Sequence, residues 1–294
     1  MNYPKTTYLQ LLTSLWLFSL LGSCTFDPPE PLFGYMQLNK VIVATTPDQG
    51  TGSNGITEAW IFADGVDIGV YPIPGLVPVP AGDSISIVIF AGMRIDDRRV
   101  ESTINPMYQE LSFTKMIMPD QTDTIDLVFK YKDDVVISFL EDFEDKNGFV
   151  DNLDTSNLSV SSIKNIPATE PFHGQYDGSF ELNDRYKIIE LGHRKIIEDL
   201  NIEGRPIFFE FDCKNEALLA IGLLGINQNE TEKLYDIGIV RPSEEWKKVY
   251  IDLTRLLNER TFVAYQVVIY SIYEPTEEVP QVRFVMDNIK LLHL

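Results

Sequence analysis

The chain has 294 residues, with 24 basic against 44 acidic side chains and a formal net charge of −20. That balance excludes nucleic acid as a partner, because phosphate backbones are bound through a basic footprint, and it excludes attachment to anionic membrane surfaces by charge. A hydrophobic content of 44% with scattered Gly and Pro fits globular folding rather than disorder.

The first predicted element is the apolar run Leu9–Leu21. As a helix it would reach about 20 Å, short of the roughly 30 Å of a bilayer core. It therefore reads as the apolar region of a signal peptide. The run ends in Leu21-Gly22-Ser23-Cys24, which resembles the lipobox of bacterial lipoproteins. The resemblance implies that residues 1–23 are removed and that Cys24 carries lipid, anchoring the chain to a membrane. Lys5 is the one charge lost with the leader, which leaves 23 basic against 44 acidic side chains, or −21. Residues 24–33 contain Pro28, Pro29 and Pro31 and read as an extended tether. Asp27 and Glu30 loosely resemble the acidic tract that sends some lipoproteins to the outer face of the outer membrane. No later stretch approaches 18 consecutive apolar residues. With Cys24 lipidated, Cys213 stands alone and no intramolecular disulfide forms. In Phe209–Cys213 alternation places Cys213 on the apolar face with Phe209 and Phe211, where a thiol acts as a small hydrophobe.

Beyond the tether, short alternating runs dominate. Ile85, Ile87 and Ile89 share one face of Ser84–Phe90; Ile125, Leu127, Phe129 and Tyr131 share one face of the run from Thr124. Period-2 patterns of this kind predict half-buried strands. Asp64-Gly65, Pro74-Gly75, Ala81-Gly82-Asp83 and Asn147-Gly148 predict the turns between them. The charged break Lys130–Asp134 separates two strand patterns. The sequence thus predicts an all-β chain of two antiparallel β-sandwich domains, residues 34–132 and 133–294, with helix confined to short pieces such as Leu253–Glu259.

Trp60–Pro72 followed by Val77–Asp83 resembles the PEGA domain, a small β-sandwich of bacterial surface proteins. The shared features are the Asp64-Gly65 turn, the Gly69-x-x-Pro72 segment and Pro80-Ala81-Gly82 before the next strand. The second half resembles the jelly-roll of carbohydrate-binding modules: Phe143-Glu144, Phe172–Phe180, Trp246–Thr254 and Phe284–Leu291 stand in the order of its strands. As a whole the chain resembles surface lipoproteins of the Bacteroides type.

Within residues 133–294, apolar positions fall at Phe284 and Met286 and then at Ile289 and Leu291, so parity breaks at Asp287-Asn288 and predicts a bulge. In related jelly-rolls an acid at this place and one near the first strand hold a structural Ca²⁺ through oxygen ligands. The resemblance makes Asp287 and Glu144 the candidate pair, with Asp142 beside Glu144. For stacking on sugar rings the candidates are Trp246, Tyr176, Tyr265, Tyr270 and Tyr273, with Tyr186 as a further ring. No His-Glu-x-x-His, Gly-x-Ser-x-Gly, P-loop or Cys-x-x-Cys motif is present, so no catalytic residue is predicted. Three functions fit the pattern: a non-catalytic glycan-binding lipoprotein, a lipoprotein that binds another envelope protein, and a hydrolase of unrecognised type.

Overall fold

The computed structural model describes residues 32–95, 101–168, 170, 174–198, 200, 204–228, 230–234, 238–260 and 262–294. The expected signal peptide, the expected lipidation site Cys24 and the expected tether as far as residue 31 lie outside these residues. Among the described residues every long element is a strand, as the period-2 patterns predict. The short helix expected over 253–259 is α1 (Thr254–Glu259).

In the first half, β1 (Phe33–Val43), β4 (Gly75–Pro80) and β8 (Thr122–Phe129) form one sheet in the order β4-β1-β8. The other sheet contains β2 (Glu58–Ala63), β3 (Val66–Pro72) and β5 (Ser84–Met93) in the order β3-β2-β5, with β6 (Thr103–Ile104) and β7 (Leu111–Met116) paired to β5. Alternation decides which side is buried: Met36, Leu38, Ile61, Val77, Ile85, Ile87, Ile89, Leu127 and Phe129 all point inward and are at most 5% exposed. The Asp64-Gly65 hairpin between β2 and β3 has both residues at positive φ, 47° and 79°, the backbone of a type I′ turn. One pairing departs from the antiparallel expectation: β1 and β8 run parallel. Parallel neighbours need a long crossover, and here the intervening strands of the sandwich provide it.

The second half also has two sheets. β10 (Phe149–Asn152), β13 (Ile188–Glu198), β19 (Ala264–Ile272), β15 (Leu219–Ile226) and β16 (Thr231–Leu234) lie in that order, with β17 (Ile239–Val240) against β15. Facing them are β11 (Lys164–Pro167), β12 (Tyr176–Asn183), β20 (Gln281–His293), β14 (Ile207–Asn215) and β18 (Ser243–Asp252), with β9 (Val136–Glu141) paired to the end of β20. All these pairings are antiparallel. Phe209, Phe211 and Cys213 of β14 point into the core between the sheets, each fully buried, together with Phe284, Met286, Ile289 and Leu291 of β20. The parity break on β20 is a bulge: Glu210 pairs with Lys290 and Asp212 with Asp287, so β20 carries one extra residue, and Asn288 takes φ 50°.

Phe33–Leu294 is one compact unit built on these two cores. The cores are joined, because Phe208, Tyr250 and Leu292 point outward from the β14-β18-β20 side of the second sandwich and pack into the first core.

Candidate ligand-binding face

The outward side of the β11-β12-β20-β14-β18 sheet consists of the residues that alternate with the core positions. Its two ends differ. One end is closed by the first sandwich and by the loop between β1 and β2. There Glu210 pairs across the strands with Tyr250 on one side and Lys290 on the other. Glu210 and Lys290 are both fully buried. Lys290 Nζ lies 3.1 Å from Glu210 Oε1 and donates to Tyr131 Oη at 3.2 Å, while Tyr131 donates to Glu210. In the next row Asp212 pairs with Lys248 and with Asp287. Lys248 Nζ is 3.4 Å from Asp212 Oδ2, and Ser53 of the loop donates to the same carboxylate. The loop is held down by backbone bonds as well: Thr51 N–H to Asn288 Oδ1 at 3.0 Å, Gly55 N–H to Tyr250 Oη at 3.1 Å, and Lys290 Nζ to the Thr51 carbonyl at 3.2 Å.

Burial alone would raise the Glu210 carboxyl, but the ammonium groups of Lys290 and Lys248 outweigh it and hold Glu210 below the usual range. Burial likewise works to lower Lys248, yet Asp212 and Glu210 keep it above its ordinary value. Asp287 is different. Burial is the largest effect and pushes its carboxyl up to about 9, outweighing the hydrogen bond of the Asn288 backbone; Asp177 and Asp212 add to the rise as like-charged neighbours, and Lys248 opposes it. Asp287 is therefore neutral at pH 7.

The other end of the sheet face is open. Three adjoining hollows of about 310, 210 and 520 Å³ cross it. Trp246 lines the first and second; Ile166 and Arg283 line the second and third. The hollows therefore form one groove, running from Ser53 and Asn54 past Trp246 to Ser179, Glu181 and Tyr186. Paired positions set its floor: Lys164 opposite Ser179, Ser179 opposite Val285, and Val285 opposite Lys214. Such a surface offers a half-buried indole at one end, a tyrosine at the other, and charged and hydroxyl groups between them. Ring faces can stack on the apolar side of a sugar while the polar groups meet its hydroxyls.

Of the predicted stacking residues, Trp246 stands in this groove, and so does the further ring Tyr186. Tyr176 is 39% exposed at the start of β12, opposite Pro167, and does not line the groove. Tyr270 borders an apolar hollow of about 230 Å³ on the opposite sheet with Leu218, Ile239 and Ile272. Tyr273 packs on the second core and donates to the Val279 carbonyl at 2.9 Å. Tyr265 must be corrected as a ligand contact: it is fully buried, packed edge-on to Phe262, and its hydroxyl accepts the Phe262 N–H. Its inward parity on β19 places it in the core.

The structure gives the two acids of the expected Ca²⁺ pair different partners. Glu144 Oε1 accepts the backbone N–H groups of Gln175 and Tyr176 at 2.7 and 3.0 Å. Asp287 Oδ2 accepts the Asn288 amide at 2.7 Å, and its acidic neighbours are Asp177 and Asp212. Among the described residues no three His, Cys, Asp or Glu side chains converge as a metal site. Glu144 is thus engaged by backbone N–H groups and Asp287 by the Asn288 amide, each within its own hydrogen-bond set.

Sequence reasoning missed Lys164, Ser179, Glu181, Lys214 and Arg283. Their only signal was outward parity beside core residues such as Phe180, Cys213 and Phe284.

No protein-family model and no curated protein matches the chain. Among solved structures the chain is similar to a family 29 carbohydrate-binding module, at 15% identity over 54% of this chain and 86% of that one, with a TM-score of 0.29. A mutant of such a module complexed with cellulohexaose matches at 18% identity over 54% of this chain and 89% of that one, with a TM-score of 0.28. A family 30 carbohydrate-binding module matches at 17% identity over 53% of this chain and 97% of that one, with a TM-score of 0.36.

Proposed function

We propose that the chain is a non-catalytic glycan-binding lipoprotein that holds its ligand in the groove across the β11-β12-β20-β14-β18 face. The observation that carries the reading is Trp246, a half-buried indole shared by two adjoining hollows whose other lining residues are mostly charged or polar, with Ile166 and Val285 as apolar exceptions. Polar groups that stay exposed there need no further partner for folding, and they suit a ligand rich in hydroxyls. Cys24, by its lipobox, attaches the protein to the outer membrane, and the tether lets the groove face outward.

The test is an array of plant, host and microbial glycans probed with the full chain and with Trp246→Ala. Truncating an aromatic contact of this kind costs about 2 kcal/mol, roughly thirtyfold in Kd, with the melting temperature little changed. A chain that captures no glycan, or one whose binding is indifferent to Trp246→Ala, defeats the reading. For the anchor, Cys24→Ala is expected to leave the membrane fraction, and retention there equal to wild type would refute lipidation.

A second reading, a lipoprotein that binds another envelope protein, is favoured by one feature. The apolar hollow beside Tyr270 is rimmed by Leu218 and Ile272, each 53% exposed. Capture of a defined envelope protein that is lost on Leu218→Asp, with no glycan bound, would move the assignment there.

A further inference from the structure

The charges of the groove run against those of the chain. Overall, acids outnumber bases 44 to 24. Along the groove Lys164, Lys214, Lys247, Lys248 and Arg283 face Asp212, Glu181 and Glu216. Two of those acids already serve the protein. Asp212 is bound by Ser53 and Lys248, and Glu216 Oε2 accepts the Arg283 backbone N–H at 2.8 Å. Lys248 is consumed by Asp212 and Glu210, and Lys247 donates to the Arg241 carbonyl at 2.8 Å. Lys164, Lys214 and Arg283 remain. All three are exposed, and among the described residues none has a carboxylate within ion-pair distance. Glu181 stands across the strand from Arg283 without reaching it; the guanidinium instead points Nε at Ser179 Oγ, 3.4 Å away.

Building on the glycan reading, we infer that the ligand is an acidic polysaccharide, whose anionic groups are met by Arg283, Lys214 and Lys164 while Trp246 stacks on a ring. Arg283 offers the planar fork that pairs with a carboxylate or a sulfate. Lys164 and Lys214 are three strand spacings apart, about 14 Å at roughly 4.8 Å each, so they reach different units of one chain. Between them lie Ser179 and Val285, a hydroxyl and an apolar floor. The surplus of acids elsewhere repels polyanions at long range, so capture by charge without a site is disfavoured.

The experiment is isothermal titration of the full chain with three oligosaccharides of matched length: a uronate, a sulfated glycan and a neutral glucan. Each is repeated with Arg283→Gln, Lys214→Gln and Trp246→Ala, and melting temperatures verify folding. The inference expects an acidic arm to bind best. It expects Arg283→Gln and Lys214→Gln each to weaken that arm by roughly tenfold, and the affinity to fall as NaCl rises from about 0.05 to about 0.5 M. Carboxylate and sulfate are told apart by which acidic arm responds. If the neutral glucan binds as tightly as either acidic ligand and only Trp246→Ala matters, the inference fails and the glycan reading stands. Acidic binding unmoved by both cation variants also overturns it. If none of the three arms binds, the inference fails, and the array above decides the wider reading separately.

Discussion

Asp287 is buried at a bulge between Asp177 and Asp212, and its carboxyl is raised to about 9. An unfolded aspartate titrates near 3.9. Below that pH the group is protonated in both states and has no effect. From about pH 4 upward the unfolded state releases the proton while the folded state keeps it, so stability falls with rising pH up to about 9. At pH 7 the cost is up to about 4 kcal/mol. Asp287→Asn is expected to raise the denaturation midpoint at pH 7 and to flatten its decline between pH 4 and 9. A variant less stable than wild type throughout that range would show that the carboxyl is ionised and needed. Glu210 behaves in the opposite way: its depressed value means that stability is present above the unfolded pKa and is lost as pH falls through the folded one. Removing one partner of a buried pair leaves the other charge uncompensated, so Lys290→Met is expected to cost about 3 to 5 kcal/mol, measured by chemical denaturation. A loss below about 1 kcal/mol would place the pair among weak surface bridges.

At the level of elements, the loop between β1 and β2 is what divides the sheet face into a closed and an open end. Thr51, Ser53 and Gly55 supply polar contacts to β14, β18 and β20, so the side chains of the charged row beneath them are largely buried. None of this was legible in the sequence, since a polar loop has no periodicity and its partners lie about 160 to 240 residues away. The strands themselves were legible, because a half-buried strand prints its buried face as every second residue. The parity break at Asp287-Asn288 even located the bulge. The parallel β1–β8 pair was not, for alternation tells which face is buried but not which neighbour runs alongside. The proposed boundary at residues 132/133 separates two sandwiches that share Phe208, Tyr250 and Leu292. A fragment of residues 133–294 would expose those side chains together with Glu210 and Lys290. Calorimetry of the full chain is therefore expected to show one cooperative transition, and the fragment is expected to melt well below it. Two resolved transitions, one matching the fragment, would contradict this coupling.

For the whole molecule, one sheet face is divided: half joins the sandwiches, and half stays open as the groove proposed to hold the ligand. The candidate site was only partly readable beforehand. Trp246 and Tyr186 could be named because large rings near strand ends stand out. Lys164, Lys214 and Arg283 could not, because outward charged residues on strands look alike until the order β11-β12-β20-β14-β18 brings them to one face, Lys164 and Arg283 from positions more than a hundred residues apart. The most direct measurement is a crystal structure of the full chain with the oligosaccharide that it binds most tightly. The account predicts a sugar ring against the Trp246 indole and the chain lying across β14, β20 and β12 toward Tyr186. A ligand seated on the opposite sheet beside Tyr270, with the Trp246 groove empty, would contradict it.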